Sequence, residues 1–227
     1  MITLGLDTTA VAASAALVKN GTLLGEFYLN IGLQHSRTLM PMVESLLNCS
    51  NIRVAEIDRI GVANGPGSFT GVRIGVSAAK GLALTKQTPC VGISTLEALA
   101  TNLPLSEGII CPVMDARCNQ VYNALFTYQN GVLTRLCEDR AIAIADLQTE
   151  LASIGQSVIW LGDGATLCYS ALTDTTGHTL APEAIRFQHA SSVALLAEQA
   201  PNTVIPELLS VSYLRPPQAV RARESKL

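Results

Sequence analysis

Apolar positions open the chain in three short runs, Ile2 to Leu6, Ala13 to Val18 and Leu23 to Leu29, each of strand length. Asn20-Gly21 separates the second run from the third and predicts a tight hairpin, because both residues accept the positive φ that such turns demand. Leu39, Val43, Leu46 and Leu47 then recur at helical spacing, giving a helix over about Ser36 to Asn48. Pro41 lies inside it. A proline removes a backbone bond from a helix interior, so this helix is expected to start near Thr38 or to kink. A strand over Arg59 to Ala63 follows, then a glycine-rich turn and a small-residue helix from about Thr70 to Thr85. A strand Pro89 to Ile93 and a helix Thr95 to Asn102 complete the order β-β-β-α-β-α-β-α.

The second half reads in the same order. Ile109 to Met114, Val121 to Tyr128 and Thr134 to Ile144 are strand-like, with Asn130-Gly131 again marking a turn. A helix near Ala145 to Ser153, a strand Val158 to Leu161, a weaker helix near Thr166 to Leu172, a poor strand Ile185 to Gln188 and a helix Ser192 to Ala200 follow. The corners match as well. An aspartate ends the first strand of each half, Asp7 and Asp115, and a glycine turn ends each fourth strand, Asn64-Gly65-Pro66-Gly67 and Gly162-Asp163-Gly164-Ala165. This repeat predicts two α/β domains of related fold, split near Pro104, with a cleft between them.

A glycine turn after a strand exposes backbone N–H groups and lets a phosphate approach them. Asp7, Thr8 and Thr9, with Gly65, Gly67 and Ser68 from the facing corner, are therefore the candidate nucleotide- or phosphate-binding set. The same residues also serve to cap a strand and close a turn, and Ser68 or Thr70 can cap the next helix without any ligand. The block lacks the lysine of a phosphate-binding P-loop. Its helix is apolar nearly all round, with Arg73, Ser77 and Lys80 in one narrow stripe. Such a helix is buried on more than one side. Either it is internal or it meets another chain.

Composition narrows the classes. Hydrophobic residues make up 48% of the chain, aromatics 4% and charged residues 15%, with a net charge of −3, against about 25% charged in typical soluble proteins. An acidic chain poor in aromatic rings does not suit autonomous nucleic-acid binding. The run from Gly71 to Thr85 is broken by Arg73 and Lys80 and is too short for a membrane span. Asp7 within the first apolar run argues against a signal peptide. The six cysteines form no C-x-x-C pair and read as buried thiols of a reducing cytoplasm. His35 has Leu39 four residues on, so no helical histidine pair is present to hold a metal. The final Ser225-Lys226-Leu227 matches a peroxisomal address only as a three-letter pattern, and the basic residues from Arg221 to Lys226 read as a solvated tail.

Asp7-Thr8-Thr9, His35-Ser36, the block from Gly65 through Ser68-Phe69-Thr70-Gly71-Val72-Arg73-Ile74 to Gly75, Asp115-Ala116-Arg117 with Val121-Tyr122, and Tyr213-Leu214-Arg215 before Pro217 together resemble the bacterial TsaB (YeaZ) family. The match covers essentially the whole chain. It implies an α/β, actin-like (ASKHA) fold of two RNase H-like domains, residues 1–104 and 105–227, each a mixed central sheet flanked by helices. It also implies a part in making N6-threonylcarbamoyladenosine beside the anticodon of tRNAs that read codons beginning with A. The family is paralogous to the catalytic subunit TsaD, formerly described as a glycoprotease of the M22 type, which keeps an H-x-x-x-H metal pair on the helix matching the one after His35. Leu39 stands in the second place here.

The resemblance therefore implies a non-catalytic scaffold with no metal and no cofactor of its own, ATP or ADP being expected only at the interface of the complex. The implied partners are TsaD and the ATPase TsaE, with a homodimer when the chain is alone, tRNA met only indirectly and no membrane. The implied contact face comprises Leu39, Met42, Val43 and Leu46 from the first helix and Val72, Gly75, Val76 and Ala79 from the second, with Arg73 and Lys80 at the rim. Two other readings stay open: a nucleotide-hydrolysing or phosphotransfer enzyme of the same fold, motivated by the paired aspartate corners, and an M22-type metalloprotease.

Overall fold

A computed structural model describes residues 1–32, 34–104 and 106–215. The basic residues from Arg221 to Lys226 and the final tripeptide lie outside the described residues.

The first sheet is built from β1 (Ile2–Asp7), β2 (Ala13–Lys19), β3 (Thr22–Leu29), β4 (Arg59–Gly65) and β5 (Cys90–Ser94) in the order β3-β2-β1-β4-β5. β1 runs antiparallel to β2, from Ile2 opposite Lys19 to Asp7 opposite Ser14, and parallel to β4. Asn20 and Gly21 take φ of 49° and 77°, the two positive values that a type I′ hairpin turn needs. One face carries α1 (His35–Ser50) and α2 (Phe69–Leu84), over a core of Leu4, Leu6, Leu17, Ile60 and Val62. α1 starts at His35, three residues before Thr38, and runs through Pro41. The carbonyl of Arg37 that Pro41 leaves unbonded belongs to an exposed turn, as does Pro41 itself, so water can take its place.

The second sheet comprises β6 (Ile109–Asp115), β7 (Gln120–Asn123), β8 (Phe126–Gln129), β9 (Val132–Arg135), β10 (Arg140–Ala143), β11 (Val158–Leu161) and β12 (His178–Leu180), with the main order β10-β7-β6-β11-β12. That order matches the first sheet strand for strand, which leaves the β8–β9 hairpin as an insertion. The Asn130-Gly131 turn, with φ of 53° and 77°, belongs to the insertion and is not the counterpart of Asn20-Gly21. Val121 to Tyr128 and Thr134 to Ile144 each divide into two strands. Pro112 has no N–H to give a ladder, and β6 changes partner there, from β7 at Val113 to β8 at Ile110. Buried Asn123 turns the chain at that point, its amide donating to the carbonyls of Pro112 and Ala124 at 3.1 and 3.0 Å.

The remaining helices are α3 (Thr95–Thr101), α4 (Ile144–Ile154), α5 (Ala165–Ser170), α6 (Glu183–Arg186) and α7 (Ala190–Gln199). The expected strand Ile185 to Gln188 is not one. Pro182 starts the short α6 there, and the fifth strand position goes to β12. α7 leaves the second sheet and packs on β1, β2 and β4 of the first. Glycine makes this possible: a Cβ on Gly5 would lie 2.3 Å from the Ala190 carbonyl oxygen, and one on Gly61 would lie 2.4 Å from Ala197 Cβ. The division at residue 104 thus separates the two sheets but not the C-terminal residues, which return to the first. Leu96, Leu99, Ile110, Met114 and Phe126 share one core cluster that joins the two halves.

Candidate functional site

Two features stand out, a cleft between the sheets and an apolar face on α1 and α2. The cleft holds a cavity of about 350 Å³ lined by Thr9, Gly67, Ser68, Phe69, Asp115, Arg117, Tyr122, Asp163, Tyr213 and Arg215, among others. Of the candidate phosphate set only Thr9, Gly67 and Ser68 line it. Asp7 and Thr8 are buried behind it. Asp7 Oδ1 accepts from the Thr9 N–H at 2.8 Å and the Thr9 hydroxyl at 2.7 Å, while Oδ2 has no partner. Burial raises this carboxyl to about 6, against the pull of the Thr9 bonds and the charges of His35 and His189.

The glycines of the first corner hold the chain's own backbone. A Cβ on Gly67 would meet the Thr9 carbonyl oxygen at 2.5 Å, on Gly71 the Thr8 oxygen at 2.1 Å and on Gly65 the Ser212 oxygen at 2.3 Å. Ser68 N–H donates to Thr9 O at 2.7 Å, and the Thr8 hydroxyl donates to Gly71 O at 2.7 Å. Close approach is needed here, as read from the sequence, but the segment that approaches is Thr8-Thr9 or, at Gly65, the C-terminal segment at Ser212. Ser68 caps α2 by accepting from Gly71 N–H at 3.4 Å.

Asp115 and Asp163, from the matching corners of the second sheet, are the carboxylates that line the cleft. Asp115 Oδ1 accepts from Arg117 N–H at 2.7 Å, and Oδ2 lies 3.2 Å from Arg117 Nη1. Asp163 Oδ1 is inaccessible and without a partner. Burial first, then the charge of Asp115, raises Asp163 to about 6. The repeat of aspartate and glycine corners carried the signal for both residues.

On the helical face the outcome differs from expectation. Leu39, Met42, Val43, Leu46, Val72, Val76 and Ala79 are at most 5% exposed and belong to the first core, and Gly75 sits against the Thr8 hydroxyl, which a Cβ would approach to 2.7 Å. They face the sheet because the apolar stripe at helical spacing is the one the sheet needs. α2 is wrapped on three sides, by the sheet, by α1 and by the irregular segment that runs to Arg215. Arg73 donates from Nε to the Tyr213 hydroxyl at 2.6 Å and lies 3.8 Å above the Phe69 ring, and Lys80 donates to Glu207 O at 3.2 Å. Both therefore bind the C-terminal segment. What α1 and α2 present outward is Ser36, Met40, Phe69, Thr70, Arg73, Ile74, Ser77 and Ala78, which line one shallow apolar groove.

His35 Nε2 lies 2.7 Å from Ala10 O. Cys90, Cys111 and Cys168 are buried, whereas Cys49 and Cys118 are exposed and Cys137 is half-buried. No helix among the described residues is long and apolar enough to cross a membrane.

Two sheets of the same strand order with a cleft between them define the actin-like class of α/β proteins. YeaZ from Pseudomonas aeruginosa has this arrangement, superposing with a TM-score of 0.78 at 26% identity over 94% of this chain and 99% of that one. Residues 31–219 match the family described as TsaD, tRNA N6-adenosine threonylcarbamoyltransferase. The TsaB protein of Bacillus subtilis, named for tRNA threonylcarbamoyladenosine biosynthesis, is 37% identical over 177 residues, 78% of this chain and 77% of that one. A tRNA N6-adenosine threonylcarbamoyltransferase of Fervidobacterium nodosum is 34% identical over 109 residues, 41% of this chain and 32% of that one. The chain belongs to the TsaD family and, within it, to the TsaB proteins.

Proposed function

We propose that this chain is the accessory, non-catalytic TsaB subunit of the assembly that makes threonylcarbamoyladenosine in tRNA, working in the cytoplasm through contact with TsaD and, through it, TsaE. The observation that carries this is residue 39. α1 offers one histidine, already directed at the Ala10 carbonyl, and the position four residues on is a leucine sunk in the core at 1% exposure. A metal-assisted transfer of the kind attributed to TsaD lacks its second imidazole on this helix. The glycine corner filled by Thr8-Thr9 supports the same reading, because a phosphotransfer enzyme would need that loop open to phosphate. ATP or ADP would then sit at the interface of the complex.

The docking face is the groove of Met40, Phe69, Ile74 and Ala78, which also serves a homodimer when the chain is alone. An exposed apolar patch between two helices suits exchange of one partner for another. Size-exclusion of the chain with and without TsaD tests this: the homodimer gives way to a mixed complex, and Ile74→Glu abolishes both while the circular dichroism is unchanged. Both species persisting in Ile74→Glu, or ATP hydrolysis by the isolated chain that Asp7→Ala abolishes, contradicts the proposal.

A further inference from the structure

We infer that α3 fastens the two halves of the molecule to each other, so that the cleft between the sheets has one fixed width and does not close on a ligand by hinging. Among the described residues the chain passes between the sheets twice, from α3 to β6 and from β12 through α6 to α7. A hinge needs such crossings to absorb changes of φ and ψ. Here both are held, and the residues that hold them include the two caps of one short helix.

Asn102, the C-cap of α3, ties one crossing to the other. Its side-chain amide donates to the carbonyls of Ile185 and Phe187 at 3.0 and 2.8 Å, and its Oδ1 accepts from the Ser192 hydroxyl at 2.7 Å. Both amide hydrogens and the amide oxygen are thus spent on the returning segment. At the other end of the helix the N-cap Ser94 accepts from the Glu97 N–H at 3.3 Å and donates its hydroxyl proton to Asp139 Oδ2 at 2.5 Å. Asp139 lies between β9 and β10, in the second half. Its Oδ1 accepts from Arg135 Nη1 at 2.5 Å, and Arg135 Nη2 reaches back to Glu97 of α3 at 3.2 Å. One guanidinium therefore joins carboxylates from both halves.

Directionality decides what these contacts do. Leu96 and Leu99 of α3 share a core with Ile110 and Phe126 of the second sheet, but apolar contact is non-directional and by itself lets packed surfaces slide. Hydrogen bonds fix distance and angle together. The Arg135 group is also sheltered. Its guanidinium lies 4.6 Å above the ring of Phe126, and the side chains of Arg135 and Asp139 are only 25% and 19% exposed, which spares them much of the screening that weakens surface pairs. β9, which ends in Arg135, belongs to the hairpin that the first sheet lacks. The insertion thus acts as a strap from the second sheet to α3. This fastening is independent of the docking face on α1 and α2.

The chain carries its own reporters, since Cys49 on α1 and Cys118 in the turn after β6 are exposed thiols, one on each half. Spin labels on these two, in the full chain with half-buried Cys137 changed to serine and diluted with unlabelled chain to suppress pairs between copies, give the distance between the halves by pulsed EPR. The labelled parent should show one narrow distance distribution that Mg²⁺ and ATP do not move. Asn102→Ala combined with Arg135→Ala should add a population at longer distance while the circular dichroism is unchanged, and the milder Asn102→Asp, which keeps the acceptor and loses both donors, should shift the distribution the same way. Arg53→Ala, which breaks an exposed ion pair with Glu56 inside the first half, should leave it narrow. A broad or two-peaked distribution in the parent, or a shift on adding Mg²⁺ and ATP, overturns the inference without any variant. A parent-like peak in the double variant overturns it as well.

Discussion

Asp7 shows how one residue can be read correctly for place and wrongly for purpose. The sequence puts it at the end of the first strand, and there it is. Its carboxylate, however, serves the Thr8-Thr9 turn and faces no cavity. Burial lifts its pKa from 3.8 to about 6, so the folded state holds the proton more tightly than the unfolded chain. The stabilisation from that proton is complete below about pH 4 and lost as pH rises through 6. Asp7→Asn should therefore flatten the stability profile between pH 4 and 6 and raise stability at pH 7.5 by about 1–3 kcal/mol, a shift of two pKa units being worth nearly 3. Urea unfolding at pH 4.5 and 7.5 measures this, and equal pH slopes in parent and variant would contradict it. His35 and His189 are the titratable groups that act on Asp7, and both remain in the comparison. Glu26 balances His189: burial raises the Glu26 pKa, but the His189 ring and the Ser191 N–H and hydroxyl hold it below its usual value.

Helical periodicity reported the apolar stripes of α1 and α2 faithfully but could not say what covers them. A stripe of Leu39, Met42, Val43 and Leu46 looks the same facing a sheet or facing a second chain, and only the sheet's position decides. Val76→Glu, placed at 5% exposure in the core, should accordingly cost well over 3 kcal/mol and give unfolded or aggregated protein. A folded Val76→Glu protein that had lost only its self-association would restore the stripe as the interface. The strand glycines were equally opaque. Gly5 and Gly61 carry no turn signal, yet each leaves the space that α7 enters. Gly61→Ala should destabilise by about 1–3 kcal/mol in urea unfolding, more than the same change at exposed Gly81, which has open space around it. Turn chemistry was the most legible layer: Asn20-Gly21 and Asn130-Gly131 both turn hairpins as expected. The second belongs to an inserted hairpin because Pro112 interrupts the ladder, and nothing in the spacing marks an insertion.

At the scale of the molecule the repeat predicts two halves, and the structure crosses them. The chain builds the first sheet, then the second, and comes back with α7, which covers the bare face of the first, and with the segment to Arg215, which lies against α2 on the other side. Arg59 fastens that return by donating from Nη1 to the carbonyls of Ala197 and Ala200 at 2.6 and 2.9 Å, at the C-terminal end of α7 where a cation also meets the helix dipole favourably. Ala63, Val91, Ile93 and Ala98 pack against Val193 and Ala197 in the resulting core. Residues 1–104 are therefore expected not to fold as an independent unit. Expressed alone they leave that face of β1, β2 and β4 exposed to water, a loss no local rearrangement can make good. Such a fragment should lack a cooperative melting transition and bind a hydrophobic dye, whereas a circular permutant that places residues 186–215 ahead of Met1 through a flexible linker should restore the transition. A cooperatively folded 1–104 fragment would mean that α7 is an ornament on the first sheet, and the strand glycines at 5 and 61 would then need another cause.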